Sequence, residues 1–309
     1  MQADHWQDLE IRHLVALQAI VEEGSFWAAA ERLQCSTSAL SQQISTLEAV
    51  VGHRVLERSR GRRRVTLTEP GRLLLGHADA IVARLRAAHA DLVAFAEGGV
   101  GELRIGTYQS VGAKLLPQLL RRFAAEWPKI ELRVVEGADD DELLRTVERG
   151  EIDLTFSVLP LPEGPFEGVE LMRDPYVLSV PADSPLARRR TAGISTLDGL
   201  KLVGFRRSRT VAQVEEHVRT HGIEPNIVFR SDDNGIVQGM VAAGVGCALV
   251  PRLAVDLDDP SIEVVELPEL PPRVLAIAWH RDRYRTPAMR AFVERALEVG
   301  KELAAKPRT

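Results

Sequence analysis

The sequence predicts a multidomain chain: an all-α winged helix-turn-helix domain, a long linker helix, and a bilobed α/β domain. Three observations predict it. Short amphipathic helices follow one another over residues 9–51, with an arginine-rich segment directly after them. An apolar heptad seam then runs from Leu74 to Phe95. Beyond residue 102, strand-like and helix-like segments alternate in two series, the rhythm of parallel-rich α/β sheets.

The first helix spans residues 9–24, with Leu9, Leu14, Leu17, Ile20 and Val21 at helical spacing and Gly24 as its stop. Ser25 is placed to cap a second helix ending near Leu33, and Ser36 to cap a third. In that third helix Leu40, Ile44, Leu47 and Val51 make the core-facing stripe. The opposite side carries Thr37, Ser38, Ser41, Gln42 and Ser45, polar but without a charge. A solvated helix face ordinarily carries Lys and Glu. Hydroxyls and amides instead offer donors and acceptors suited to base edges in a major groove.

The segment "RVLERSRGRRRVTLTEPG" places β-branched residues around an Arg/Gly-rich centre, which predicts a short hairpin. Arg54, Arg58, Arg60, Arg62, Arg63 and Arg64 crowd together there, opposed only by Glu57. Such a wing can neutralise phosphates and add salt-sensitive affinity. Two helices joined by "QCS" and followed by this hairpin have the layout of a winged helix-turn-helix, predicted over residues 1–68. The candidate DNA-contacting residues are Ser36, Thr37, Ser38, Ser41 and Gln42 of the third helix, with Arg58, Arg60, Arg62, Arg63 and Arg64 of the wing.

Thr68 can cap the next helix, whose first turn tolerates Pro70. That helix is predicted over 69–97. Leu74, Ala78, Ile81, Leu85, Ala88, Leu92 and Phe95 recur at steps of four and three, the seam of a helix that pairs with another. Self-association is the expectation. "EGGVGE" then supplies a glycine-rich hinge at 98–101.

The remainder, 102–305, is predicted as two lobes. "ELRIGT", a helix over 113–127, "IELRVVE", a helix over 140–149 and "IDLTFSV" make the first series. "KLVGF", a helix over 211–221, "NIVFR", a helix over 233–243 and "CALVP" make the second. "RVLAIAWH" and a helix over 287–304 complete one of them. Lobe I is assigned to about 102–173 and 271–305, lobe II to about 174–270, with a cleft between.

Composition is ordinary for a soluble globular protein and argues against other classes. At 309 residues, 45% hydrophobic and 27% charged, the chain suits two or three domains with real cores. No apolar run approaches bilayer length, and "MQADHWQDLEIRHL" lacks a secretory layout, so a cytoplasmic protein with no membrane partner is expected. Net charge is −5, so any affinity for nucleic acid must come from local patches. No P-loop, G-x-S-x-G or G-x-G-x-x-G stands between a strand and a helix, so no enzyme and no cofactor is expected. "HVRTH" sets His217 and His221 one turn apart but lacks the metalloprotease Glu, and a surface helix with no metal is expected. Cys35 and Cys247 have no metal-type spacing and read as small buried residues.

"LQAIVEEGSFWAAAERLQCSTSALSQQISTLEAVVGHRVLERS" followed by "VTLTEPG" resembles the N-terminal domain of the LysR-type transcriptional regulators, and the order of parts resembles that family over essentially the whole chain. The resemblance implies promoter binding, a homodimer or dimer of dimers built through the linker helices, contact with RNA polymerase, and a small-molecule effector in the cleft of a periplasmic-binding-protein-like (type 2) domain. Members commonly carry Gln-Pro at Thr37-Ser38, a cation at Gln42 and Phe at Leu56, departures that bear on the operator sequence. Peroxide-sensing members hold their cysteine pair in the second lobe, whereas Cys35 falls at the helix-turn-helix joint, so peroxide sensing is not expected.

The resemblance and the chain's own strand ends together nominate Thr107, Gln109 and Ser110 of "TYQSVG", Phe156 of "FSV", Arg206, Ser208 and Thr210 of "FRRSRT", and Asp232 and Asn234 of "SDDNG" as effector-binding residues. Simple helix capping competes as an explanation for each polar one. Arg206 stands apart, because a cation at a helix N-terminus opposes the dipole unless an anion sits there. An effector with a carboxylate or similar group, bound by Arg206, is the resulting expectation.

Overall fold

The computed structural model describes residues 5–57, 65–96, 101–206 and 208–305. The chain forms two compact units, Met1–Ala90 and Asp91–Thr309.

In the first unit, α1 (Ile11–Glu23), α2 (Phe26–Arg32) and α3 (Thr37–Val51) pack around Leu14, Leu17, Ile20, Leu40, Ile44 and Leu47. The sequence signals act as caps: Gly24 ends α1 in the left-handed region at φ 70°, and Ser25 accepts from the Ala28 N–H at 3.1 Å. Ser36 accepts from the Ala39 N–H at 3.1 Å to start α3. Between α2 and α3 the chain turns through Gln34, which holds φ 53°. The base of the hairpin is present as an antiparallel bridge between Leu56 and Leu67, with Glu57 N–H donating to the Thr66 carbonyl. The wing residues Arg58, Arg60, Arg62, Arg63 and Arg64 lie outside the described residues.

Helix α4 (Glu69–Ala96) runs for 28 residues, about 42 Å at 1.5 Å per residue. Thr68 caps it by accepting from the Gly71 N–H at 3.0 Å. Gly71 is required there, since a Cβ would stand 2.0 Å from the Val55 carbonyl oxygen.

The second unit holds two sheets among the described residues. The first has the order β2-β1-β3-β10-β4, with β1 (Gly101–Thr107), β2 (Ile130–Glu136), β3 (Leu154–Leu159), β4 (Phe166–Asp174) and β10 (Arg273–His280). The second has the order β7-β6-β8-β5-β9, with β5 (Tyr176–Pro181), β6 (Lys201–Gly204), β7 (Asn226–Arg230), β8 (Cys247–Pro251) and β9 (Ile262–Glu266). In both, the three strands joined through helices pair in parallel and the remaining two pair antiparallel.

The expected helix over 113–127 is two helices, α5 (Gln109–Lys114) and α6 (Leu116–Glu126), parted at Leu115 just before Pro117. α7 (Asp140–Arg149), α8 (Arg209–Thr220), α9 (Asn234–Ala242) and α10 (Pro287–Ala305) complete the unit. Phe123 and Phe292, edge to face at 5.2 Å, join α6 to α10 over the first sheet. The chain leaves the first sheet at Asp174 and re-enters it at Arg273, so both crossings lie at the cleft between the sheets.

Candidate functional site

The polar face of α3 is open to solvent. Thr37, Ser38, Ser41, Gln42 and Ser45 are all exposed, while Leu40, Ile44 and Leu47 on the other side are buried. Ser36 is occupied as the cap and also bonds Ser38 hydroxyl to hydroxyl at 2.9 Å. Ser45 donates to the Ser41 carbonyl one turn back. Thr37, Ser38, Ser41 and Gln42 therefore form the part of the face with polar atoms to offer a partner.

The heptad seam of α4 divides in two. Leu74 and Ala78 belong to the core of the first unit and are buried with Val82, which corrects their assignment to a self-association surface. The period placed them on one stripe, but the stripe turns from core to solvent along the helix. Ile81, Leu85, Ala88 and Leu92 are exposed, Leu92 by 69%, and they remain as an unsatisfied apolar row. The side chain of Phe95 lies outside those described.

Between the two sheets of the second unit is a cavity of about 700 Å³, within the range of small-molecule sites. It opens at the carboxyl ends of β1, β2 and β6 and at the N-termini of α8 and α9, where open α/β sheets hold ligands. Gln109, Ser110, Arg206, Ser208, Thr210, Asp232 and Asn234 line it. Two expected residues do not. Phe156 is 1% exposed in the core of the first lobe: it lies on the same face of β3 as Val158, which lines the cavity, but two residues further from the strand's carboxyl end. Thr107 is buried beneath the turn and its hydroxyl reaches only the Tyr108 carbonyl, at 3.4 Å.

The capping explanation holds for Ser208, which accepts from the Val211 N–H at 3.4 Å. For α9 the cap is Asp233, not Asp232. Asp232 instead stands 3.5 Å from Arg206, whose side chain is 74% exposed. The anion that the helix dipole demanded beside Arg206 is thus a side chain of the protein.

The buried polar groups of the cleft were not foreseen. Arg273, at the start of β10, pairs with the 1%-exposed Asp174 at 2.8 Å and donates to the Ser110 hydroxyl at 2.9 Å. Its guanidinium lies 5.7 Å from the centre of the Tyr108 ring. Burial pushes the Asp174 carboxyl up from its usual range, against the pull of Arg273. The same burial pushes the Tyr108 phenol up, so it stays protonated as a donor. Its hydroxyl is buried and meets no hydrogen-bond partner among the described residues.

Across the cleft, Arg209 of α8 ties the lobes together. It donates to Asp140 at 2.6 Å, Asp141 at 3.0 Å and the carbonyls of Pro160 and Val158 at 2.8 and 3.2 Å. Asp140 also accepts from the Ser157 hydroxyl and Val158 N–H, so a nearly buried carboxylate is well satisfied. Gln109 makes a second tie, accepting from the Asn234 N–H at 2.5 Å and donating to Asp233 at 3.3 Å. These bonds hold the two lobes across the cleft, and among the described residues none of them joins a nucleophile to a base.

Residues 11–72 match the bacterial regulatory helix-turn-helix family of lysR type, and residues 96–301 match the LysR substrate binding domain. The DNA-binding transcriptional dual regulator OxyR of Escherichia coli K12 is 30% identical over 265 residues, covering 85% of this chain and 86% of its own. The uncharacterised regulator YybE of Bacillus subtilis is 27% identical over 93% of this chain and 96% of its own. Among solved structures, full-length OxyR of Pseudomonas aeruginosa superposes with a TM-score of 0.68 at 24% identity, covering 95% of each chain. The LysR-family regulator CbnR in complex with its target DNA does so at 0.67 and 24%, covering 94% of this chain and all of that one. Two family domains in this order, over nearly the whole length, make this chain a member of the LysR family of transcriptional regulators, a DNA-binding regulator and not an enzyme.

Proposed function

We propose that this regulator binds promoter DNA with α3 in the major groove, as a homodimer or dimer of dimers, and that an effector in the interlobe cavity sets whether it activates or represses. The cavity carries the reading: about 700 Å³ lined from both lobes, with bonds crossing its mouth that differ in any opened state. An effector that binds one cleft geometry better than another shifts the population between them.

Thr37, Ser38, Ser41 and Gln42 read bases, and the wing arginines Arg58, Arg60, Arg62, Arg63 and Arg64 supply phosphate attraction from outside the described residues. Ile81, Leu85, Ala88 and Leu92 support pairing of linker helices. Val134 and Val135 on edge strand β2, and Val228 and Phe229 on edge strand β7, are further exposed apolar residues that fit contact between copies. No helix among the described residues is long and apolar enough to cross a membrane, which fits action in the cytoplasm beside RNA polymerase.

Gel shifts with the protein's own upstream intergenic DNA test the reading, run on wild type and on Gly204→Leu. Gly204 lines the cavity and a Cβ there meets nothing within 4 Å, so a leucine fills open space. Specific binding with an effector response lost only in the variant is expected. An unaltered response in Gly204→Leu overturns the cavity as the effector site.

A further inference from the structure

Helix α3 carries no cation. Between Arg32 and Arg54 the chain has neither Lys nor Arg, and the one charged side chain of α3 is Glu48. Arg32 is held by Glu22 and Glu23. Glu48, near the C-terminal end of the helix, accepts from the N–H groups of Val55 and Leu56 at 2.9 and 3.4 Å. Base reading from this helix therefore falls to neutral groups.

Those groups are not equivalent. Ser36 caps the helix and bonds Ser38. Ser45 and Thr46 donate their hydroxyl protons to the carbonyls of Ser41 and Gln42, one turn back. Thr37 and Ser41 are exposed, but a lone hydroxyl rotates to donate or accept and so meets any base edge. Gln43 is half-buried, about 100° round the helix from its neighbour. Gln42 is exposed, and its side-chain amide makes no hydrogen bond among the described residues.

An amide sets one donor beside one acceptor. The major-groove edge of adenine, an N7 acceptor next to an N6–H donor, is its complement. Guanine shows two acceptors there, N7 and O6. An amide that donates to one turns its own oxygen toward the other or leaves it unmet. Guanine is matched by the two-donor fork of arginine and cytosine by a free carboxylate, and α3 offers neither.

We infer that Gln42 is the specificity-determining residue of α3, reading the adenine of an A·T pair, and that no guanine is read from this helix. This rests on α3 lying in the major groove, and the test separates the two ideas.

Full-length wild type, Gln42→Ala and Gln42→Arg each select duplexes from a randomised pool. Gln42→Ala is expected to lose the preference at one pair of each half-site, and in the wild-type consensus that pair should be A·T. Gln42→Arg should select G·C there instead. 7-Deazaadenine placed at that pair removes the N7 acceptor and keeps Watson–Crick pairing. It should weaken wild-type binding about two- to tenfold, the worth of one neutral hydrogen bond, and leave Gln42→Ala binding unchanged. Gln42 is exposed, so all three proteins should melt alike. If the lost preference is for G·C, or if 7-deazaadenine has no effect or acts equally on Gln42→Ala, the assignment is overturned and α3 stands as the reading helix. A consensus unchanged in Gln42→Ala overturns it too. If Thr37→Ala and Ser41→Ala also select the wild-type consensus, α3 itself is not the reading element.

Discussion

Tyr108→Phe removes a hydroxyl that finds no partner, so in the free protein the change should not cost stability. A gain of about 1 kcal/mol is expected, seen as a melting temperature higher by about 2–4 °C. A marked drop would mean that the phenol is already satisfied. Arg273→Met should behave in the opposite way. It strands Asp174, 1% exposed, without its cation, and removing one partner of a buried pair costs about 3–5 kcal/mol. Chemical denaturation read by circular dichroism distinguishes the two variants. Cys247 offers a third residue-scale outcome. Burial in β8 pushes its thiol up from the ordinary value, so thiolate is scarce at neutral pH. Although OxyR is among the relatives, native Cys247 should alkylate far more slowly than free cysteine, and peroxide should leave DNA binding unchanged. Rapid mass labelling of Cys247 in the folded protein would refute this.

At the scale of elements, the local signals were legible and the long-range ones were not. Ser25, Ser36 and Gly24 mark helix ends by short-range chemistry, and each does so in the structure. The antiparallel strands β4, β5 and β9 carry no comparable signature, because their burial is decided by strands far away in sequence. With β4 and β5 unseen, Asp174 and Tyr176 had no place, and Arg273 looked like an ordinary strand residue. Arg209 has no local signal for the same reason, since its partners Asp140 and Asp141 come from the other lobe. The heptad of α4 was visible, yet periodicity could not say where the seam stops facing its own domain. Two substitutions separate its halves. Leu74→Ala, in the core, should cost about 2–5 kcal/mol of N-terminal stability. Leu85→Asp, at a half-exposed position, should leave melting nearly unchanged but shift the protein toward monomer in sedimentation. Equal association by Leu85→Asp and wild type would remove α4 from the self-association surface.

Across the whole molecule, the proposed reading puts the two kinds of force in DNA recognition on different segments. The face of α3 has no charge, so it adds little counterion release; the wing holds five arginines within residues 58–64. Affinity and specificity should therefore come apart under mutation. Gln42→Ala removes an exposed amide able to bond a base edge in two places, worth about 1–3 kcal/mol of discrimination. Its salt slope should match wild type, because no cation is lost. Arg62→Ala should lower affinity for all sequences alike and reduce the slope of log K against log salt by about one. Gel shifts on the cognate and a scrambled site across a salt series read both quantities at once. If Gln42→Ala weakens both sites equally, α3 is not the reading element. If Arg62→Ala leaves the slope intact, the phosphate contacts lie elsewhere, and the charge-free face of α3 loses its explanation.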